Sequence, residues 1–98
     1  MKNKIKQALV DYFDGSRKLA QYAYYLLERY MEEYEGYDNV GDGENFYDWG
    51  QYEADKDDYT YTAFYTLYDY GADNSSDYLG AYALFENIIE IYLDNFEE

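Results

Sequence analysis

Between Asp77 and Phe96 the side chains of Tyr78, Ala81, Tyr82, Phe85, Ile88, Ile89, Tyr92 and Phe96 recur at steps of three and four residues. A helix gathers such a set on one face, whereas a strand scatters it over both. The same spacing links Leu19, Tyr22, Ala23, Leu26, Tyr30 and Tyr34. It predicts a long helix from Ser16 to about Glu35, ended by Gly36. Ile5, Leu9, Tyr12 and Phe13 predict a shorter helix over Lys2 to Phe13, with Asp14-Gly15-Ser16 as stop, turn and N-cap. Ser75 or Ser76 is placed to cap the last helix.

The middle of the chain is less decided. Gly36 to Glu44, "GYDNVGDGE", reads as a loop. Phe46, Trp49 and Tyr52 fit a helical face, but Gly50 weakens it and a short strand competes. Tyr61, Phe64, Tyr65 and Tyr68 fit a helix capped by Asp57 or Asp58 and stopped by Gly71. Tyr59-Thr60-Tyr61-Thr62 also alternates in strand fashion, which admits a hairpin through "ADKDD". Ala63, Leu67 and the position of Gly71 favour the helix. The expected fold is mainly α, a small helical bundle of three to four helices forming one domain over residues 1–98. The alternative is an α+β fold with a short hairpin within residues 46–70.

Charge is the second constraint. The net charge is −15, unevenly distributed. Residues 1–31 carry six cations against Asp11, Asp14 and Glu28, whereas residues 32–98 carry 19 carboxylates against Lys56 alone. The acidic part cannot neutralise itself. It repels nucleic acid and anionic membrane and attracts basic surfaces over about 8–10 Å at physiological salt. Hydrophobic residues make up 48% of the chain and tyrosine supplies 17 of them, so this is not the composition of a disordered acidic tail.

Several chemistries are excluded or disfavoured. With no cysteine there is no disulfide, thiolate nucleophile or zinc–thiolate site in the chain. With no histidine the commonest general base is missing too. No Ser–His arrangement or phosphate-cradling glycine loop is present, so an enzyme is not expected, nor is a cofactor. "DNVGDGENFYDW" fails as a calcium loop. Val40 falls where an oxygen ligand is needed and Trp49 where the bidentate Glu belongs. The N-terminus shows neither a signal peptide nor a membrane-spanning run, and a cytoplasmic protein is expected.

What remains is a surface for binding. Glu86, Glu90 and Asp94 form one stripe on the last helix with no Lys or Arg interleaved. That pattern suits either a solvated face or a lattice of negative points matched to cations. Tyr22, Tyr30, Tyr78, Tyr82 and Tyr92 read as structural. Tyr47, Tyr52, Tyr59, Tyr68 and Tyr70, among acids, are candidates for exposure. A tyrosine beside a carboxylate suits arginine through cation–π contact and bidentate hydrogen bonding. Trp49 is either a core plug or the anchor of an interface.

The runs "ERYMEEYEGYDN", "ENFYDWGQYEADKDDYTY" and "LYDYGADNSSDY", within residues 28–98, resemble the surface of a class of small acidic DNA mimics. These are made by phages and mobile elements and include anti-CRISPR and antirestriction proteins and uracil-DNA glycosylase inhibitors. The resemblance lies in size and surface character rather than in a motif, so no residue role transfers by position. It implies a protein, monomeric or homodimeric, that occupies the cationic nucleic-acid channel of a host defence complex in the host cytoplasm. A CRISPR effector is the first expectation and a restriction enzyme the second. Carboxylates would stand in for phosphates, and Tyr and Trp for base and sugar surface. The partner-binding residues expected on this view are Asp38, Asp42, Glu44, Asp48, Trp49, Tyr52, Glu53, Asp55, Asp57, Asp58, Tyr59, Asp69, Asp73, Asp77, Glu86, Glu90 and Asp94. The cationic first helix departs from the class. The competing reading is an acidic adaptor that binds one basic protein without imitating DNA.

Overall fold

The computed structural model describes residues 2–34, 41–74 and 79–95, all helical apart from their turns. Five helices follow in order: α1 (Lys2–Tyr12), α2 (Arg17–Tyr34), α3 (Gly43–Ala54), α4 (Asp58–Asp73) and α5 (Leu79–Asn95). The mainly α expectation holds. The count of three to four helices was one short, and among the described residues there is no hairpin in 46–70. The Gly36 stop, the Ser75 or Ser76 cap and Phe96 lie outside the described residues.

Local chemistry explains why the ambiguous middle is helical. The Asp42 side chain accepts from the Glu44 N–H at 2.9 Å, starting α3. The Asp57 side chain accepts from the Tyr59 N–H at 3.2 Å, starting α4 three residues after α3 ends. Each cap satisfies one of the orphan donors of a helix start. In α4 the buried positions are Thr60, Ala63, Phe64, Leu67 and Gly71, at the steps of a helical stripe. The strand-like alternation is broken because Thr60 is buried while Thr62 is exposed.

Between α1 and α2 the Gly15 N–H bonds Val10 O at 2.8 Å and the Asp14 N–H bonds Asp11 O at 3.2 Å. This is a Schellman closure with Asp14 in the left-handed region at φ 57°. Ser16 then caps α2 through its Oγ, which accepts from Leu19 N–H at 3.3 Å. The stop, turn and N-cap read from the sequence are therefore all present.

All five helices contribute to one core. Ile5 and Leu9 of α1, Leu26 and Leu27 of α2, Leu67 of α4 and Ile88 of α5 are fully buried. Aromatic rings fill its centre. Phe85 stacks on Phe46 at 4.7 Å and on Phe64 at 5.5 Å, and Tyr30 meets Phe46 at 4.7 Å. Each ring of this size contributes about 1.5–3 kcal/mol by burial. Glycines set how closely the helices approach. A Cβ at Gly50 would lie 2.1 Å from the Phe64 ring, and one at Gly71 would lie 2.8 Å from the Ala81 Cα. Gly71 is therefore a contact with α5 rather than a stop. The helix continues to Asp73, where Asn74 caps it through the Tyr70 carbonyl.

Candidate partner-binding face

The antiparallel pair α3 and α4 presents two rows of carboxylates. Along α3, Glu44 and Asp48 fall on one stripe that the C-cap residue Asp55 continues, spanning about 16 Å of axis, and all three are exposed. On α4, Asp58 and Asp69 are eleven residues apart, with Asp73 one turn on, all exposed. Tyrosines run along the seam between the helices. Tyr61 meets Tyr65 at 4.8 Å, Tyr65 meets Tyr68 at 6.2 Å, and Tyr68 meets Tyr47 of α3 at 5.5 Å. Tyr47 continues the row to Tyr82 of α5 at 5.2 Å. Burial, helped by Tyr68 and its other phenol neighbours, raises the Tyr47 pKa. Its hydroxyl stays a neutral donor at physiological pH. The result is a phenol-lined seam with carboxylates on both sides, brought close by Gly50.

The cations of the acidic body are occupied internally. Arg29 of α2 donates from Nη2 to Glu53 Oε1 at 2.8 Å and from Nη1 to the Thr60 hydroxyl. Thr60 Oγ1 donates to Asp57 Oδ2 at 2.7 Å, and the Tyr25 hydroxyl reaches the same oxygen at 3.2 Å. The Arg29 guanidinium also lies 5.7 Å from the Tyr25 ring and 5.9 Å from Trp49. Hydrogen bonds from Thr60, the Tyr59 N–H and Tyr25, together with the Arg29 charge, outweigh desolvation and lower the Asp57 pKa. Lys56 donates to Glu53 Oε2 at 3.3 Å and sits 4.2 Å above the Tyr52 ring. Desolvation opposes its charge, but Glu53 and Tyr52 together raise its pKa above the ordinary lysine value. The remaining Lys and Arg residues of the described chain lie on α1 and the first turn of α2.

The structure separates the expected site residues into groups. Glu44, Asp48, Tyr52, Asp55, Asp58, Asp69 and Asp73 share the exposed α3–α4 surface. Glu86, Glu90 and Asp94 form the expected exposed stripe on α5, along a shallow groove with Gly41, Ile89 and Leu93. One of them is also structural, because Glu86 Oε2 accepts from the Gly43 N–H at 3.2 Å at the start of α3. A carboxylate there is favoured by the helix dipole. Asp42 and Asp57 are exposed but serve as N-caps. Tyr59 is partly exposed yet turned to α2, edge-on to Tyr25 at 4.4 Å and Tyr22 at 6.0 Å.

Two residues expected at the surface are buried. Trp49 is only 5% exposed, packed against Tyr30 and Phe46, because it lies on the core face of α3. It is the core plug, not a surface anchor. Glu53 is 4% exposed and paired with Arg29, so it is not part of the outer acid lattice. Tyr47, Tyr68 and Tyr70 are half-buried rather than exposed. Tyr61, at 54% exposure, was not anticipated. Asp38 and Asp77 lie outside the described residues, and the tested calcium stretch is α3 helix from Gly43 onward.

No family model matches this chain, and neither the curated proteins nor the solved structures include a significant match to it.

Proposed function

We propose that this protein is a DNA-mimic inhibitor whose α3–α4 surface occupies the positively charged nucleic-acid channel of a host defence complex. A CRISPR effector is the first candidate target and a restriction enzyme the second. One observation carries the reading. The carboxylates of α3 and α4 are ordered in exposed rows, while both cations within reach, Arg29 and Lys56, are bound to Glu53. Among the described residues, no Lys or Arg is paired with the rows formed by Glu44, Asp48 and Asp55 and by Asp58, Asp69 and Asp73. A cationic channel supplies that counter-charge, and the phenol seam offers ring surface and hydroxyls where sugar and base would lie. Long-range attraction speeds association and makes it sensitive to salt.

Competition tests this. A labelled DNA duplex is bound to a purified guide-loaded CRISPR effector or to a restriction enzyme, and the protein is titrated in at low and high salt. Displacement of the duplex, weakened by salt and by the combined Asp48→Asn, Asp55→Asn and Asp69→Asn changes, supports mimicry. Binding to the effector with the duplex still in place supports the adaptor reading instead. Absence of binding to either target overturns the choice of partner.

A further inference from the structure

We propose that the Tyr52 ring and the Glu53 Oε2 atom form a guanidinium subsite, filled by Lys56 in the free protein and taken over by an arginine of the partner on binding. This rests on the reading of α3–α4 as a face for a cationic partner.

Three observations meet at this point. Tyr52 is 66% exposed, more than any other large apolar side chain of the described residues. The Glu53 side chain is 5% exposed, and its Oε1 is held by Arg29. Its Oε2 is the oxygen that accepts from Lys56 at 3.3 Å, and the same ammonium overlies the Tyr52 ring at 4.2 Å. A desolvated carboxylate is a stronger acceptor than one in water. Lys56 keeps 52% of its side chain exposed and has solvent to retreat into.

The molecule already shows the preferred guest for such a site. Arg29 lies beside the Tyr25 and Trp49 rings and donates from Nη2 to the other oxygen of Glu53. A second guanidinium on Oε2, stacked on Tyr52, repeats that arrangement at the surface. Guanidinium is less strongly hydrated than ammonium and stacks on rings as well as donating in a plane, so arginine should displace Lys56 where a partner lysine gains little. Asp55, Asp57 and Asp58 are all exposed within two residues of Lys56 and attract the incoming charge.

The test uses oligo-arginine and oligo-lysine peptides of equal length, titrated by calorimetry. The wild type should prefer oligo-arginine. Lys56→Met, which removes the internal competitor, should bind oligo-arginine about three- to fivefold tighter than Lys18→Met, a variant of the same net charge. Tyr52→Leu should cancel that gain in the Lys56→Met background and reduce the arginine preference of the wild type. Equal affinities for Lys56→Met and Lys18→Met, or an arginine preference that survives Tyr52→Leu, overturn the proposal. If circular dichroism shows Lys56→Met to be unfolded, Tyr52→Leu alone decides, since that side chain lies at the surface. The peptide measurement is independent of DNA displacement. Arginine selectivity without displacement would sink the inhibitor reading and leave the subsite standing.

Discussion

Removing Arg29 tests how much the partly buried Arg29–Glu53 pair contributes to holding α3 against α2. In Arg29→Met the Glu53 carboxylate, 5% exposed, loses its 2.8 Å partner and retains only Lys56 at 3.3 Å. Thr60 loses a donor, and Asp57 loses a cation 3.6 Å away. Breaking a fully buried pair costs about 3–5 kcal/mol. Arg29 is 27% exposed and Lys56 remains, so about 2–3 kcal/mol is expected here. A domain of this length holds roughly 5–15 kcal/mol in total, so the variant should stay folded. Urea titration followed by circular dichroism and Trp49 fluorescence should show a midpoint about 1–2 M lower with an unchanged slope. The double change Arg29→Met with Glu53→Leu should recover most of the loss, because it leaves no buried charge without a partner. A loss below about 0.5 kcal/mol, in the range of an exposed pair, or a double variant weaker than Arg29→Met alone, would refute the reasoning.

Gly50→Ala should destabilise by about 1–3 kcal/mol despite the better helix propensity of alanine, because its Cβ meets the Phe64 ring at 2.1 Å. Phe64→Leu in the same chain should recover part of it, as chemical denaturation would show. The lowered pKa of Asp57 gives a contribution present above the unfolded aspartate value, about 4, and lost as pH falls through the lower folded value. Asp57→Asn should therefore flatten the acid limb of the stability curve below about pH 4, measured by urea midpoints across that range. Net charge −15 also predicts a melting temperature that rises with added sodium chloride, and calorimetry showing a fall would contradict the self-repulsion argument.

The legible parts of the fold are those whose inner faces are apolar throughout. α2 and α5 are readable because Leu26, Leu27, Ile88 and Ile89 repeat at helical steps with nothing to confuse them. α3 and α4 are less readable because their inner faces include Gly50, Glu53, Thr60 and Gly71. Each of these residues weakens a periodicity count, yet each is buried for a reason that lies elsewhere in the chain. Glu53 needs Arg29, 24 residues earlier, and Gly50 needs the ring of Phe64. The acid rows were legible in outline, since charge seldom stays inside. Asp57 was read both as a cap and as a binding acid, and the structure shows the cap; the two look alike until the helix start is fixed. Tyr61 could have been found, because with Tyr65 and Tyr68 it forms a stripe flanking the Thr60, Ala63 and Leu67 face.

The placement of charge bears on whether solubility alone accounts for it. Exposed carboxylates stand four residues apart at Glu44 and Asp48, at Asp69 and Asp73, and twice along Glu86, Glu90 and Asp94. Each such like-charge step costs about 0.2–0.5 kcal/mol, so the four together cost about 1–2 kcal/mol. Substituting Lys at one member of each pair would reverse the sign of that term and keep the surface polar. A chain selected only to fold and stay dissolved gains from such interleaving, yet its cations are concentrated on α1, at the start of α2 and around Glu53. Solubility therefore does not require the uninterrupted rows on α3, α4 and α5, and they oppose folding. On the proposed reading, a cationic partner would reverse that balance by supplying counter-charge to each row.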